Sequence, residues 1–287
     1  MKKIAIIIPS RERSHKIKKL HSLWFNTLDE KISTDCIIAL DEDNECTYER
    51  LPNFIYEIVK PHPENIRGVT YPLNQVAIKY CNEYEYIGFM GDDHIPITKN
   101  WNSLMYEVLN KNKPYSMVYG NDLFHCANLP TQIIMDSLYI KYFGYMIDPL
   151  LYHLYSDNYW LYIGHYIKKI HYLEDVIIEH EHCFVNKSKI DDMYIKLNNK
   201  SCYVDSEKIF LELIKDGSIL NKQLDKLLDI LNKNKRIYIY NYNYKVEITN
   251  LIIIIPNKKN NSINIYNYDK PESTNFMLNK KNKSIYI

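Results

Sequence analysis

Four short runs constrain this chain more than any other feature: KIAIIIP, DCIIAL, FIYEIVK and YEYIGFM. Each is dominated by β-branched, aliphatic or aromatic residues. A half-solvated strand alternates apolar with polar residues, whereas a strand covered on both faces reads as a near-continuous apolar run. Polar, helix-compatible stretches separate the runs, over 13–27, 44–51 and 71–82. Strand alternating with helix predicts an α/β domain built on a mainly parallel sheet flanked by helices. Ligands of such sheets bind beyond the carboxyl ends of the strands. Three polar clusters, at 9–13, 41–44 and 91–94, fall at that edge.

The pattern continues more loosely downstream. A helix is expected over 98–110, a strand over 115–120, a helix over 157–168, and a strand over 172–182 that turns polar at its end. Residues 191–215 read as helical around an Asn-rich loop. Composition changes near Asp216, which sets a main domain of 1–216 against a small α+β appendage of 217–287. Leu220, Leu224, Leu227, Leu228 and Leu231 repeat there at helical spacing, giving one amphipathic helix. RIYIYNYNYKVEI then alternates like a strand, and the Asn/Lys/Ser-rich end is expected to be partly disordered.

Several function classes are excluded early. Lys and Arg number 36 against 35 Asp and Glu, so a net charge of +1 gives no bulk attraction to nucleic acid or a membrane surface. The apolar run at 4–8 is too short for a signal-peptide core, and Pro9 and Arg11 follow it at once. The later LIIII run cannot span a bilayer. None of the six cysteines forms a CxxC pair, so neither a zinc ribbon nor a thioredoxin-type site is visible. A soluble, cytoplasmic chain with free thiols and no transmembrane segment is the expectation. Neither GxxxxGK[ST] nor GxGxxG occurs among only seven glycines, so a nucleotide would have to be held by other means.

The chemistry-bearing residues concentrate at strand ends. In YIGFMGDDHIP an apolar run stops at Asp92 and Asp93. Adjacent like charges at the edge of a low-dielectric core repel, and a cation relieves them. Hard carboxylate oxygens suit Mg²⁺ or Mn²⁺, which bridge diphosphates. The plainer reading is a solvated loop with two capping acids. PSRER places Ser10, Arg11 and Arg13 after the first strand, where arginine binds phosphate or stacks on a base, or else opens a solvent-facing helix. LDEDN brings Asp41 and Asp43 to the next strand end, either to accept from a base or ribose or to cap a helix. His180 and His182 in IIEHEH share one face of a strand, and imidazoles beside acids are plausible ligands for Mn²⁺. Asp157 in YSDNYW opens a helix, as a general base or as an N-cap.

Taken in order, IIIPSRER, ALDEDN, RGVTYPLNQVA, FMGDDHIPITKNW, VYGNDLFHCANLP, YSDNYW and YLEDVIIEHEH resemble a nucleotide-sugar glycosyltransferase of the GT-A fold. The likeness is to the family 2-like inverting type and a related group in phages and large viruses. It spans 3–185 and implies a Rossmann-like α/β domain moving a sugar from a nucleoside-diphosphate sugar, a UDP-sugar by preference, to a hydroxyl of a glycan, protein or small molecule. It implies that Pro9, Ser10, Arg11 and Arg13 border the nucleotide and that Asp41, or else Asp43, contacts the base. Arg67 and Asn74 would approach the nucleotide sugar, and Trp101 and Asp122 would line the sugar or acceptor pocket. Asp92 and Asp93 would form the DxD-type motif, with Asp93 as the direct ligand of Mn²⁺ or Mg²⁺ and His180 or His182 as a late ligand. Asp157 would be the catalytic base. The sequence departs from the family in reading Gly-Asp-Asp-His for Asp-x-Asp and Ser-Asp-Asn for the usual Glu-Asp pair. A sugar-phosphate nucleotidyltransferase and an inactive sugar-nucleotide-binding homologue are the alternatives. Gly-Asp-Asp also marks viral RNA polymerases, but the near-neutral charge and the parallel pattern ahead of it argue against that reading.

Overall fold

The computed structural model describes residues 2–64, 66, 68–182, 195 and 200–234. Beyond these it describes the strands at 236–241, 244–249, 252–257, 262–267, 274–276, 278–279 and 284–285. The chain divides into two compact units, Met1–Ser218 and Ile219–Ile287.

Eight strands of the first unit form one sheet. They are β1 (Lys2–Ser10), β2 (Thr34–Asp41), β3 (Phe54–Val59), β4 (Tyr84–Phe89), β5 (His94–Pro96), β6 (Met117–Asn121), β7 (Ile133–Asp136) and β8 (Ile170–His180). Their order across the sheet is β3-β2-β1-β4-β7-β6-β8-β5. The four runs that opened the sequence reading are β1 to β4, and these pair in parallel as 3-2-1-4. Ile4 to Ile8 are fully buried, as expected for a central strand covered on both faces. The expectation of a mainly parallel sheet holds, since four of the seven pairings are parallel, the three among β1 to β4 and β6 with β8. β7 lies antiparallel to both β4 and β6, β6 runs parallel to β8, and β5 is antiparallel to β8. The sheet is therefore mixed. β7 and β5 are four and three residues long, too short to show a periodicity of their own.

Helices α1 (Ser14–Thr27), α2 (Thr70–Tyr80), α3 (Trp101–Asn112), α4 (Leu138–Phe143), α5 (Ser156–Tyr166) and α6 (Lys200–Ile214) accompany the sheet. α1 buries Ile17, Leu20 and Trp24, one turn apart, and Trp24 meets Trp101 edge to face at 5.4 Å between ring centres. The helix expected over 44–51 is instead a short 3₁₀ helix, Glu42–Thr47. The second unit holds α7 (Ile219–Asn234), in which Leu220, Leu224, Leu227 and Leu231 are buried, followed by β9 (Arg236–Asn241) to β15 (Ser284–Ile285). β9 pairs antiparallel with β10 (Tyr244–Thr249), and β11 (Ile252–Asn257) with β12 (Ser262–Asn267). No described helix is long and apolar enough to cross a membrane.

Candidate active site

The parallel half of the sheet delivers three chain segments to one edge. Ser10 ends β1, Asp41 ends β2, and Gly91-Asp92-Asp93 follows β4. Between them opens a cleft of about 480 Å³. Pro9, Ser10, Arg11, Arg13, Asp41, Asp92, Asp93, Asp157, His180 and His182 all line it.

The two adjacent aspartates have different surroundings. Asp92 is buried, and its carboxylate is saturated by the protein: the Ser10 hydroxyl donates to Oδ2 at 2.7 Å and the Arg13 guanidinium to Oδ1 at 3.1 Å. The Tyr48 hydroxyl lies 2.9 Å from Ser10 Oγ and accepts the backbone N–H of Arg13, so this anchor is tied into the end of β1. Burial, reinforced by the charge on Asp93, pushes the Asp92 carboxyl up. Asp93 instead meets nitrogen. His94 Nδ1 and His180 Nε2 each lie 3.5 Å from its Oδ1, and Lys16 Nζ lies 3.6 Å from its Oδ2. Burial works against the Asp93 charge, but its other surroundings, His180 foremost, outweigh it and hold the carboxyl well below its usual range.

Strand register makes this cluster. β5 and β8 pair with His94 directly opposite His180, and the two rings stack at 4.3 Å between centres. The Glu181 backbone N–H donates to the Asp93 carbonyl at 2.8 Å, closing the ladder. Hydrogen bonds orient His94. Its Nε2 lies 3.3 Å from Thr131 Oγ1, whose own hydroxyl donates to Asp122 Oδ2 at 2.9 Å. The proton is thereby assigned to Nε2 and the lone pair to Nδ1, where it accepts the Gly91 N–H at 3.0 Å. A side chain at 91 would sit 2.7 Å from Asp93 Oδ1 and 2.8 Å from His94 Nδ1, so only glycine leaves this corner open.

Asp93, His94 and His180 can together hold a metal ion. One donor atom from each lies within 4.8 Å of the other two. An ion with bonds of about 2.1 Å sets neighbouring ligands roughly 3.0–3.5 Å apart, close to the Asp93–histidine separations. One oxygen and two imidazole nitrogens suit Mn²⁺, Zn²⁺ or Fe²⁺ better than Ca²⁺. An ion at His94 Nδ1 would replace the Gly91 contact there.

The remaining expected residues are distributed unevenly. Asp157, in the first turn of α5, reaches the cleft, and burial pushes its carboxyl up. Arg11 is held by acids, its Nη1 at 2.9 Å from Asp41 and 2.6 Å from Asp43 and its Nη2 at 3.0 Å from Asp43. Asp43 does not line the cleft. His182 stacks on Phe124 rather than joining the Asp93 cluster. Trp101 is fully buried against Trp24, so the pocket-lining expectation for it fails: its place in α3 turns the indole into the core. Asn74 lines no part of the cleft. Its amide donates to the Ile147 carbonyl at 2.7 Å and accepts the backbone N–H groups of Met146 and Ile147, fastening that loop to α2. Asp122 lies beneath the cleft wall: Oδ1 accepts three backbone N–H groups, of Phe124, His125 and Cys126, and Oδ2 accepts Thr131. Arg67 lies outside the described residues. The sequence reading missed Lys16 and His153 and left the part of His94 open. His94 was visible beside the two acids, but only its pairing with β8 distinguishes it from a bystander.

No protein-family model and no curated protein matches the chain. Solved structures with a similar chain path include S. aureus TarS in complex with UDP-GlcNAc, at 14% identity and a TM-score of 0.49 over 81% of this chain and 72% of that one. A second is the mannosyltransferase PcManGT from Pyrobaculum calidifontis in complex with GDP-Man and Mn²⁺, at 10% identity and 0.43 over 80% of each chain. A third is a Drosophila β1,4-galactosyltransferase 7 mutant with manganese, UDP-Gal and xylobiose, at 10% and 0.38 over 69% and 80%. At these values the functional reading rests on the cleft itself.

Proposed function

We propose that this chain is a metal-dependent glycosyltransferase of the GT-A, family 2-like inverting type found in phages and large viruses. It would transfer a sugar from a nucleoside-diphosphate sugar, a UDP-sugar by preference, to a hydroxyl of a glycan, protein or small molecule. The observation that carries this reading is the convergence of Asp93, His94 and His180 in a cleft whose wall also bears Asp157. Mn²⁺, or Mg²⁺, bound by those three residues would stabilise the charge that develops on a leaving diphosphate. Arg13, anchored by Asp92, adds fixed positive charge at the same strand edge. Asp41, held by Arg11, remains on the cleft wall to accept from a base or ribose N–H or O–H. Asp157 accepts the proton of the acceptor hydroxyl as that oxygen attacks the anomeric carbon. Its raised pKa fits a general base better than that of an exposed carboxylate. One displacement inverts the anomeric centre, so no covalent nucleophile is required.

The test is donor hydrolysis and transfer. UDP- and GDP-sugars are incubated with the chain with and without Mn²⁺, and free UDP or GDP is measured. Metal-dependent release is expected, and Asp157→Ala should lower the rate by about 10²–10⁴-fold with UDP affinity retained. Release of pyrophosphate from UTP or GTP incubated with a sugar 1-phosphate, with no UDP or GDP freed from the sugar nucleotides, would identify a nucleotidyltransferase. Nucleotide binding with no turnover under any donor would identify an inactive homologue.

A further inference from the structure

We infer that His153 is a ligand-binding residue of the cleft, donating through Nε2 to an oxygen of the bound diphosphate. The inference rests on the transferase reading for the identity of the ligand, and on His153's own surroundings for the rest. His153 lines the cleft two residues after Leu151 and three before α5 begins. Its backbone is fixed on both sides. The Ser156 hydroxyl donates to the His153 carbonyl at 3.0 Å, and the Thr70 N–H donates to the Tyr152 carbonyl at 3.1 Å. Gly68 packs against this backbone, where a side chain would come within 2.1 Å of the Tyr152 carbonyl and 3.4 Å of His153 Cβ. The backbone that carries the imidazole is therefore held in place.

Neither ring nitrogen has a protein partner among the described residues, and Nδ1 is buried. A buried N–H without an acceptor is a rarer and costlier arrangement than a buried lone pair without a donor. The proton accordingly belongs on Nε2, which leaves one N–H facing the cleft with nothing in the chain to receive it. The ring is uncharged at neutral pH, because burial and the neighbouring Arg13 guanidinium both oppose protonation, against the opposite pull of Asp93. Arg13 and Asp93 line the same cleft as His153, where a diphosphate's charge and its metal would be held. A neutral N–H there can bind phosphate oxygen without adding a third cation beside Arg13 and Lys16.

The full-length chain loaded with Mn²⁺ is titrated calorimetrically with UDP, GDP and inorganic pyrophosphate. His153→Ala should weaken UDP or GDP and pyrophosphate alike by roughly 10–100-fold, the loss of one hydrogen bond to a charged group. Mn²⁺ affinity should stay unchanged. His153→Gln, which keeps an N–H donor of similar reach, should recover most of the loss, a rescue that a purely structural role would not give. The inference is overturned if His153→Ala binds pyrophosphate like the wild type, if only the nucleotides weaken, or if Mn²⁺ affinity falls in parallel. A wild-type chain that binds none of the three probes overturns the transferase reading as well, which separates the two failures.

Discussion

Replacing Asp92 and Asp93 one at a time should give opposite phenotypes, although the two residues are adjacent and chemically identical. Asp92→Ala removes the acceptor of two hydrogen bonds, from Ser10 Oγ at 2.7 Å and Arg13 at 3.1 Å. Hydrogen bonds to a charged group are worth about 1.5–3 kcal/mol each, and breaking a buried ion pair costs about 3–5 kcal/mol. Two effects reduce the sum. The Arg13 side chain is 19% exposed and recovers some hydration, and the repulsion from Asp93 is relieved. A destabilisation of about 2–4 kcal/mol follows, or roughly 4–16 °C in Tm for a unit of this size. Asp93→Ala removes no comparable anchor, since its nearest side-chain nitrogens stand at 3.5–3.6 Å. It deletes the only oxygen of the proposed metal site, so Mn²⁺ affinity should fall by at least the 10–100-fold that loss of an outer-shell partner costs. Thermal melting and Mn²⁺ titration of both variants read the two effects side by side. If Asp92→Ala abolished Mn²⁺ binding at unchanged Tm while Asp93→Ala only melted early, the division of labour argued from these contacts would be wrong.

Two further outcomes follow from the same geometry. His153 carries a pKa pushed down to about 4 by burial and by Arg13, against an ordinary value of 6.5. Its neutral form is favoured by folding, so that stability is fully present above pH 6.5 and is lost as pH falls toward 4. The loss is worth roughly 3 kcal/mol, and Tm measured against pH should decline less steeply over that window in His153→Gln. Trp101→Ala should cost about 3–5 kcal/mol by opening a cavity against Trp24, with Mn²⁺ and UDP affinity unchanged in whatever fraction remains folded. A Trp101→Ala chain that kept its Tm but lost ligand affinity would restore the indole to the cleft.

The first four strands were legible because the cue is local. A strand covered on both faces has no polar position to interrupt it, and KIAIIIP shows this without any knowledge of its neighbours. The carboxyl-edge rule then brought Ser10, Asp41 and Asp92-Asp93 to one place before any contact was known. The helix starting in YSDNYW was legible for the same reason, and Asp157 does reach the cleft. Where the reading failed, the deciding information was not local. β7 and β5 carry too few residues to show a period, so the mixed half of the sheet was invisible. Trp101 looked like a pocket residue because an aromatic at a helix start carries no sign of which face it will take.

The sequence by itself determined a strand–helix order, a strand-end edge rich in charge, and the residue types that meet there. Only the tertiary structure decided what each of those residues faces. Ser10 and Arg13 saturate Asp92 and leave Asp93 to the imidazoles, a choice made by the path of the chain after β4 and not by residue type. His94 and His180 are 86 positions apart, and they meet because β5 and β8 pair in one register out of several. A slip of one residue between them would turn one ring to the other face and part the pair, since side chains alternate along a strand. Register between distant strands is set by the packing of the whole sheet, which no short window of sequence contains.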